Sequence, residues 1–166
     1  MLSRLTKALI FCLLAQAGSV VADNHFDWAT IGAEARERGL PLAILVTDPD
    51  CGYCEQLRQE FLEAPATRGT LEKGAVTQEI SRDEGGKVTD FDGERIRTQR
   101  FLARYEIFAT PTLLFLSPEG EMLAPALVGF NGAQTYGVQV AKRMKGARDN
   151  LASGARPSRS MLADSE

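Results

Sequence analysis

The sequence predicts an α/β fold in which a mixed central β-sheet is flanked by helices. Two uninterrupted apolar runs, residues 42–47 and 113–116, are typical of strands that are buried on both faces of a sheet. Segments with a helical spacing of apolar residues lie before and between these runs. Residues 118–121, Pro-Glu-Gly-Glu, turn the chain from the second run into residues 122–130. This turn predicts that the sheet closes with an antiparallel hairpin.

In its first half the chain is predicted to alternate helices and strands. Residues 26–38 have an amphipathic helical pattern, which stops at Gly39. The first buried strand follows over residues 42–47, and a second helix begins near Gly52 and runs to about residue 63. Strands that are separated by helices are expected to run parallel, so the closing hairpin would add the antiparallel edge.

Shorter elements are predicted after the second helix. A short helical piece is expected over residues 66–73, and alternating apolar and polar residues predict a strand over residues 75–81. Turn signals indicate a small inserted hairpin around residues 82–96, followed by a helix over residues 98–105. The last helix is expected over residues 133–145 or slightly beyond.

Length and composition indicate one globular domain, which we place at residues 23–151. The chain has 166 residues, of which 44% are apolar and 25% charged, values that are ordinary for a soluble domain. Residues 152–166 are small and polar for the most part, which predicts a disordered tail. The net charge of −3 would become −5 without Arg4 and Lys7, the two charged residues of the first 22. A mildly acidic chain lacks the excess of basic residues that is typical of nucleic-acid-binding proteins.

Residues 1–22 are predicted to be a signal peptide. A basic start is followed by an apolar stretch over residues 8–17, and residues 20–22, Val-Val-Ala, have the small side chains that signal peptidase reads. Cleavage after Ala22 would remove Cys12 and leave the mature chain in the periplasm. An uncleaved membrane anchor is the alternative, although the apolar stretch is short for a membrane span.

Two cysteines remain in the mature chain, Cys51 and Cys54, at the point where a buried strand ends and a helix begins. A disulfide between them would close a loop too short to stabilise the fold much, so the pair is expected to open and close. Cys51 lies at the predicted helix N-terminus, which stabilises a thiolate, and is therefore expected to attack. Cys54 lies one turn inside the helix, where it is expected to be more buried and to resolve the mixed disulfide.

A metal site is the alternative use of the two cysteines. Tetrahedral zinc would need two more ligands, and the mature chain offers no further cysteine and only His25. We therefore expect neither a metal nor another cofactor, and the redox-active group would be the Cys51–Cys54 disulfide itself. Asp48 and Asp50 lie close to Cys51 in the sequence and would oppose its ionisation unless they point to solvent. A less acidic Cys51 thiol would favour a reductant over an oxidant.

The order of elements, the Cys51-Gly52-Tyr53-Cys54 motif and the later Thr110-Pro111-Thr112 resemble the thioredoxin fold over about residues 26–146. Within that superfamily the chain is most similar to SoxW-type periplasmic thioredoxins. The similarity lies in the motif, in residues 88–94, 101–105 and 110–115, and in Gly120, Gly129 and Phe130. The Gly-Tyr pair between the cysteines also resembles that of DsbC-type disulfide isomerases. Those proteins carry a separate dimerisation domain, and residues 23–41 of this chain are too few to supply one.

The resemblance implies roles for four residues around the disulfide. Pro111 would be in cis and lie against the disulfide, Thr110 would shape the contact with a substrate strand, and Gly52 and Tyr53 would face the substrate between the sulfurs. The chain departs from cytoplasmic thioredoxins at two positions. Cytoplasmic thioredoxins have a buried aspartate six positions before the first cysteine, and this chain has Leu45 at that position. They have a tryptophan directly before that cysteine, where this chain has Asp50.

These observations together predict a monomeric periplasmic reductase of protein disulfides, with a link to sulfur-compound metabolism suggested by the resemblance. Its partners would be proteins with disulfides or thiols, and a membrane thiol transporter would supply electrons. Two alternatives stay open. One is a disulfide oxidase or isomerase of the same fold, and the other is a non-catalytic module that holds a metal ion or a client thiol.

Overall fold

The computed structural model describes residues 26–155. The predicted signal segment with Cys12, the lone His25 and residues 156–166 of the predicted tail lie outside the described residues. The elements follow in the order α1 (Trp28–Arg38), β1 (Leu42–Thr47), α2 (Gly52–Leu57), a π-helical turn (Arg58–Leu62), β2 (Val76–Ser81), β3 (Lys87–Thr89), β4 (Arg95–Arg97), α3 (Thr98–Ala103), β5 (Thr112–Leu116), β6 (Met122–Val128) and α4 (Ala133–Ser153).

The predicted mixed sheet is confirmed, with the order β2-β1-β5-β6. β1 pairs with β2 in parallel, and β5 pairs antiparallel with both β1 and β6. The expectation that helix-separated strands run parallel is therefore wrong for β5. The chain leaves β2 and enters β5 at the same end of the strands, since Thr112 at the start of β5 pairs with Val46 near the end of β1. A strand that starts at the end where β1 finishes must run antiparallel to β1.

Each face of the sheet packs against helices through its own apolar cluster. On one face, Leu45 and Phe115 pack with Leu57, Phe61 and Tyr136 from the helical segments. On the other face, the cluster includes Trp28 of α1, Ile44 of β1, Phe101 of α3 and Leu114 of β5. Four large aromatic residues of these clusters are fully buried, namely Trp28, Phe61, Phe101 and Phe115. The predicted small hairpin is confirmed as the pair β3–β4.

Two predicted helical segments differ in the structure. The second helix is α-helical only to Leu57 and then continues as a π-helical turn to Leu62. The helical piece predicted for residues 66–73 is instead a series of turns. Gly69 interrupts it with a φ of +74°, and the hydroxyl of Thr67 donates to the carbonyl of Phe61. A threonine hydroxyl that satisfies backbone acceptors in this way competes with helix formation.

The last helix is longer than predicted. α4 ends at Ser153, so the predicted domain boundary at residue 151 falls inside it, and the first two residues of the predicted tail are helical. Gly154 ends the helix with a φ of 64°, a left-handed conformation that glycine adopts without strain. Within residues 26–155, no helix combines the length and the apolar content that crossing a membrane requires.

An ion pair anchors α3 to the inserted hairpin. The carboxylate of Asp90, 6% exposed, accepts hydrogen bonds from both terminal nitrogens of Arg104, one of them at 3.0 Å. Burial by itself would raise the pKa of Asp90, but bonds from Arg104 and from the Phe91 N–H outweigh it, and the pKa lies below its ordinary value. Such a carboxylate stabilises the fold above the unfolded-state pKa and loses this contribution as the pH falls through the folded-state pKa.

We therefore expect Asp90→Asn to lower the free energy of unfolding by about 1.5–3 kcal/mol at pH 7, the usual worth of a hydrogen bond to a charged group. The deficit should begin to shrink below about pH 4, where the carboxylate of the unfolded chain takes up a proton, and it should continue to shrink until the pH has also passed the lowered folded-state pKa. Urea unfolding at pH 7 and pH 3 measures both values. Glu94→Gln, at an exposed glutamate of the same hairpin, is the control. A deficit of equal size at both pH values would contradict the assigned role of the charge.

Candidate active site

The two cysteines lie at the start of α2, directly after the loop that follows β1. Cys51 is the N-cap of α2, and its sulfur accepts a hydrogen bond from the Cys54 N–H at 3.1 Å. The two sulfurs form a disulfide with an S–S distance of 2.07 Å. Cys51 is partly exposed, whereas Cys54 is 7% exposed. The sulfur more open to solvent is therefore that of Cys51, and Cys54 is the more buried of the two, as expected from its place one turn inside the helix.

The structure brings three of the four predicted substrate-binding residues together around Cys51, whereas Pro111 does not line the cleft. Gly52, Tyr53 and Thr110 line one cleft with Cys51, with a volume of about 540 Å³. The Thr110–Pro111 peptide bond is cis, as the resemblance implied, and Pro111 is buried at the start of β5. Tyr53 is 61% exposed, so its ring is free to contact a substrate.

The loop before β5 leaves the backbone groups of Thr110 open. The Ala109 carbonyl accepts from the Thr112 hydroxyl at 2.7 Å, and the Pro111 carbonyl accepts from the Gly129 N–H at 2.7 Å. Between them, the backbone of Thr110 makes no hydrogen bond within residues 26–155. Thr110 thus offers a backbone N–H and carbonyl at the wall of the cleft, and extended peptides pair with groups of this kind.

Asp48 ties this loop to the opposite wall of the cleft. Its carboxylate accepts from the Thr110 hydroxyl at 3.3 Å and forms an ion pair with Arg82 at 2.5 Å. From the sequence, Asp48 was expected to act only through its charge near Cys51, and Arg82 had no predicted role, because the three partners lie far apart in the chain. Asp50, which also lines the cleft, is exposed. The charge of Asp48 is therefore compensated near Cys51, whereas Asp50 faces solvent.

A second cavity, of about 270 Å³, lies on the other side of the disulfide and reaches Cys54. Thr47, Arg58 and Glu79 also line it. The Glu79 carboxylate accepts from Arg58 at 2.6 Å and from the Thr47 hydroxyl at 3.2 Å. The pKa of Arg58 is raised by this hydrogen bond and by the charge of Glu79. Sequence reasoning missed Glu79, since a glutamate on a strand with alternating pattern is typical of a solvated face.

Phe108 is a further residue that the sequence did not single out. It is 79% exposed and lies two residues before Thr110. It therefore presents an apolar surface beside the loop that carries Thr110. The signal that could have found it is its place outside every predicted strand and helix, where no packing against the sheet is expected to bury it.

The described part of the chain has no group of three or more histidine, cysteine, aspartate or glutamate side chains placed to hold a metal ion. His25, the remaining soft ligand that the sequence offered, lies outside the described residues. The chemistry available at this site therefore comes from the two sulfurs and from the polar groups that surround them.

Comparisons with known proteins agree with this architecture. A family model described as a thioredoxin-like domain matches residues 31–141. A thioredoxin from Thermus thermophilus is 22% identical, with a TM-score of 0.53 over 70% of this chain and 83% of its own. A DsbH oxidoreductase is 18% identical, with a TM-score of 0.52 over 73% and 83%. The C-terminal domain of Neisseria meningitidis DsbD in its oxidised form is 15% identical, with a TM-score of 0.52 over 72% and 98%. At these identities the solved structures establish the fold.

Proposed function

Because this chain belongs to the thioredoxin-like domain family, we propose that its Cys51–Cys54 pair reduces disulfide bonds in other proteins. It is a thioredoxin-like oxidoreductase with a Cys-x-x-Cys disulfide. The proposal adds the direction of electron flow, the class of substrate and the compartment. One observation carries the exchange chemistry, namely the unequal exposure of the two sulfurs, since Cys51 is partly exposed in an open cleft and Cys54 is buried.

The exchange proceeds in two steps that balance. The Cys51 thiolate attacks one sulfur of the client disulfide, forms a mixed disulfide and releases the other client sulfur as a thiolate. Cys54 then attacks the Cys51 sulfur, which reforms the Cys51–Cys54 disulfide and releases the second client sulfur. Two electrons pass to the client, and its two thiolates take up the two protons that the cysteines have lost.

The direction of reduction rests on the resemblance of the chain to thioredoxins. The carboxylates near Cys51 add little to it, because Asp48 is paired with Arg82 and Asp50 is exposed, where its charge is screened. The cleft itself supports the class of substrate. The backbone of Thr110 and the exposed rings of Tyr53 and Phe108 would hold an extended client segment beside Cys51.

The reduction potential of the Cys51–Cys54 pair, measured against defined thiol buffers, tests the direction. We expect a value near that of thioredoxin, about −270 mV, and not near that of the strong oxidant DsbA, about −120 mV. Turnover of insulin disulfides should accompany the low value. A potential close to that of DsbA would replace the proposal with a disulfide oxidase, and failure to form the disulfide would replace it with a module that binds a metal ion or a client thiol.

The proposed compartment is the periplasm, and the proposed lineage is that of SoxW-type thioredoxins with a link to sulfur-compound metabolism. Both rest on the sequence, through the signal segment of residues 1–22 and the similarity around the motif. A monomeric reductase in an oxidising compartment needs an electron donor, which we propose to be a membrane thiol transporter. If the oxidised protein takes no electrons from the periplasmic domain of such a transporter, this part of the proposal fails.

A further inference from the structure

Cys54 needs a group that removes its proton before it can act as the resolving nucleophile. The thiolate attacks, not the thiol, and burial disfavours the thiolate of a residue as enclosed as Cys54. The β1 position that holds a buried aspartate in cytoplasmic thioredoxins is Leu45, which packs in the apolar cluster with Leu57 and Phe61. β1 therefore offers no carboxylate beneath the disulfide.

The neighbouring strand brings a carboxylate to the same face of the sheet. Glu79 of β2 is the register partner of Leu45 in the parallel pair β1–β2. Paired residues of adjacent strands project to the same face, and the side chain of Leu45 lies on the face covered by α2. The Glu79 carboxylate reaches the helical segment itself, because it accepts a hydrogen bond from Arg58 at 2.6 Å.

Arg58 and Cys54 share a helix face. They are four residues apart, and residues at this spacing are neighbours on a helix surface. The bonds from Arg58 and from Thr47 both end on the Oε1 atom of Glu79. This arrangement holds the carboxylate beside the turn that carries Cys54 and leaves its second oxygen outside the two bonds.

The cavity between Glu79 and Cys54 can carry a proton. Its volume of about 270 Å³ accommodates several waters, each of which occupies about 30 Å³ in the liquid. Its other ionisable groups are Asp48, Glu55 and Arg58. Asp48 is paired with Arg82 and Thr110, and Glu55 accepts from Gln59. The side chain of Glu79 is 37% exposed, but the bonds that it accepts from Arg58 and Thr47 hold it between β2 and the helical segment.

We propose that Glu79 is the proton acceptor for Cys54 in the resolving step, an inference that rests on the proposed function. The Cys54 thiol gives its proton to the Glu79 carboxylate through water in the cavity, and the resulting thiolate attacks the Cys51 sulfur of the mixed disulfide. The Cys51–client bond breaks, the Cys51–Cys54 bond forms, and the released client thiolate takes up one proton from solvent. Glu79 returns its proton to solvent, so the step leaves it ionised again.

The test follows the resolving step directly, in the full chain reduced with thiol, separated from that thiol and mixed with insulin in a quenched-flow instrument. Mass spectrometry of alkylated peptides gives the amount of mixed disulfide at Cys51 and of free Cys54 separately, and it also distinguishes Cys12. Glu79→Gln should slow resolution by at least about tenfold at pH 7, which is less than the roughly hundredfold or larger effect of a fully enclosed general base because solvent also reaches the cavity. The attack by Cys51 should keep its wild-type rate, and the deficit should shrink as the pH rises, since hydroxide then removes the proton.

Three matched variants separate proton transfer from a structural role. Glu60→Gln removes an exposed carboxylate of the same helical segment outside the cavity lining and should match the wild type. Glu79→Asp keeps a carboxylate and should recover part of the rate. Arg58→Gln breaks the ion pair but keeps Glu79, and it should retain pH-dependent resolution with a smaller loss.

Two results would overturn the proposal. The first is a Glu79→Gln protein that resolves at the wild-type rate at every pH. The second is an Arg58→Gln protein with the same loss and the same pH profile as Glu79→Gln, which would show that the ion pair only positions α2. Failure of the proposed function has a different signature, because the wild type would then form no mixed disulfide with insulin at all.

Discussion

Cys51→Ser is expected to abolish the reduction of client disulfides, whereas Cys54→Ser is expected to convert the protein into a trap for its clients. Cys51 is the exposed sulfur of the cleft, and a serine hydroxyl at this position forms no thiolate. Insulin turnover should therefore fall to the rate of the uncatalysed exchange. The buried Cys54 does not reach a protein client, so it cannot replace Cys51 as the nucleophile.

The Cys54→Ser protein retains the attacking thiol and lacks the group that releases the product. It should form mixed disulfides with clients in one stoichiometric burst and then stop, which non-reducing electrophoresis and mass spectrometry detect. Cys12→Ser is the matched control, because it removes the remaining cysteine of the chain outside the motif and should leave turnover unchanged. Full activity in both the Cys51→Ser and the Cys54→Ser proteins would refute a thiol exchange mechanism.

Phe61→Ala is expected to cause the largest loss of stability among single truncations near the site. Phe61 lies on the π-helical turn, is 1% exposed and meets the ring of Tyr136 of α4 edge to face with centroids 5.2 Å apart. Removal of a fully buried phenylalanine costs about 3–5 kcal/mol, from lost transfer free energy and from the cavity left behind. The loss should be large here because Gly137 of α4 packs against the same ring and has no side chain to fill the space.

Urea unfolding of the oxidised protein measures this loss as a lower midpoint at an unchanged slope. Phe108→Ala is the matched control, since it removes the same atoms from a side chain that is 79% exposed. Its free energy of unfolding should stay within about 0.5 kcal/mol of the wild type, as is usual for surface substitutions. Equal losses in the two variants would mean that Phe61 does not hold the helical segment to α4.

Local pattern sufficed for most of the fold and for the sulfur pair. The continuous apolar run of β1 and the spacing of Cys51 and Cys54 place the motif at a strand-to-helix junction, where the structure has it. The prediction of a cis bond before Pro111 came from the resemblance to the thioredoxin fold. Most peptide bonds before proline are trans, and the sequence alone does not reveal the exceptions. The roles of Gly52, Tyr53, Thr110 and Pro111 in substrate binding stay predictions.

Where the sequence misled, long-range geometry overrode the local signal. The direction of β5 depends on the end of the strands at which the chain re-enters the sheet after the inserted hairpin. That entry point follows from packing and not from the helices between the strands. The turns over residues 66–73 form because Gly69 and the threonine hydroxyls satisfy the backbone locally, although the residue spacing is compatible with a helix.

Residues close together in the chain were enough to predict the Cys51–Cys54 pair, the sheet that supports it and the lack of a carboxylate at the Leu45 position. The groups that surround the sulfurs became known from the fold. Asp48, Arg82 and Thr110 meet at one wall of the cleft, and strand register places Glu79 beside Leu45. A cysteine pair and its helix are encoded by neighbouring residues, whereas the polar groups around them come from strands whose pairing depends on the packing of the whole core.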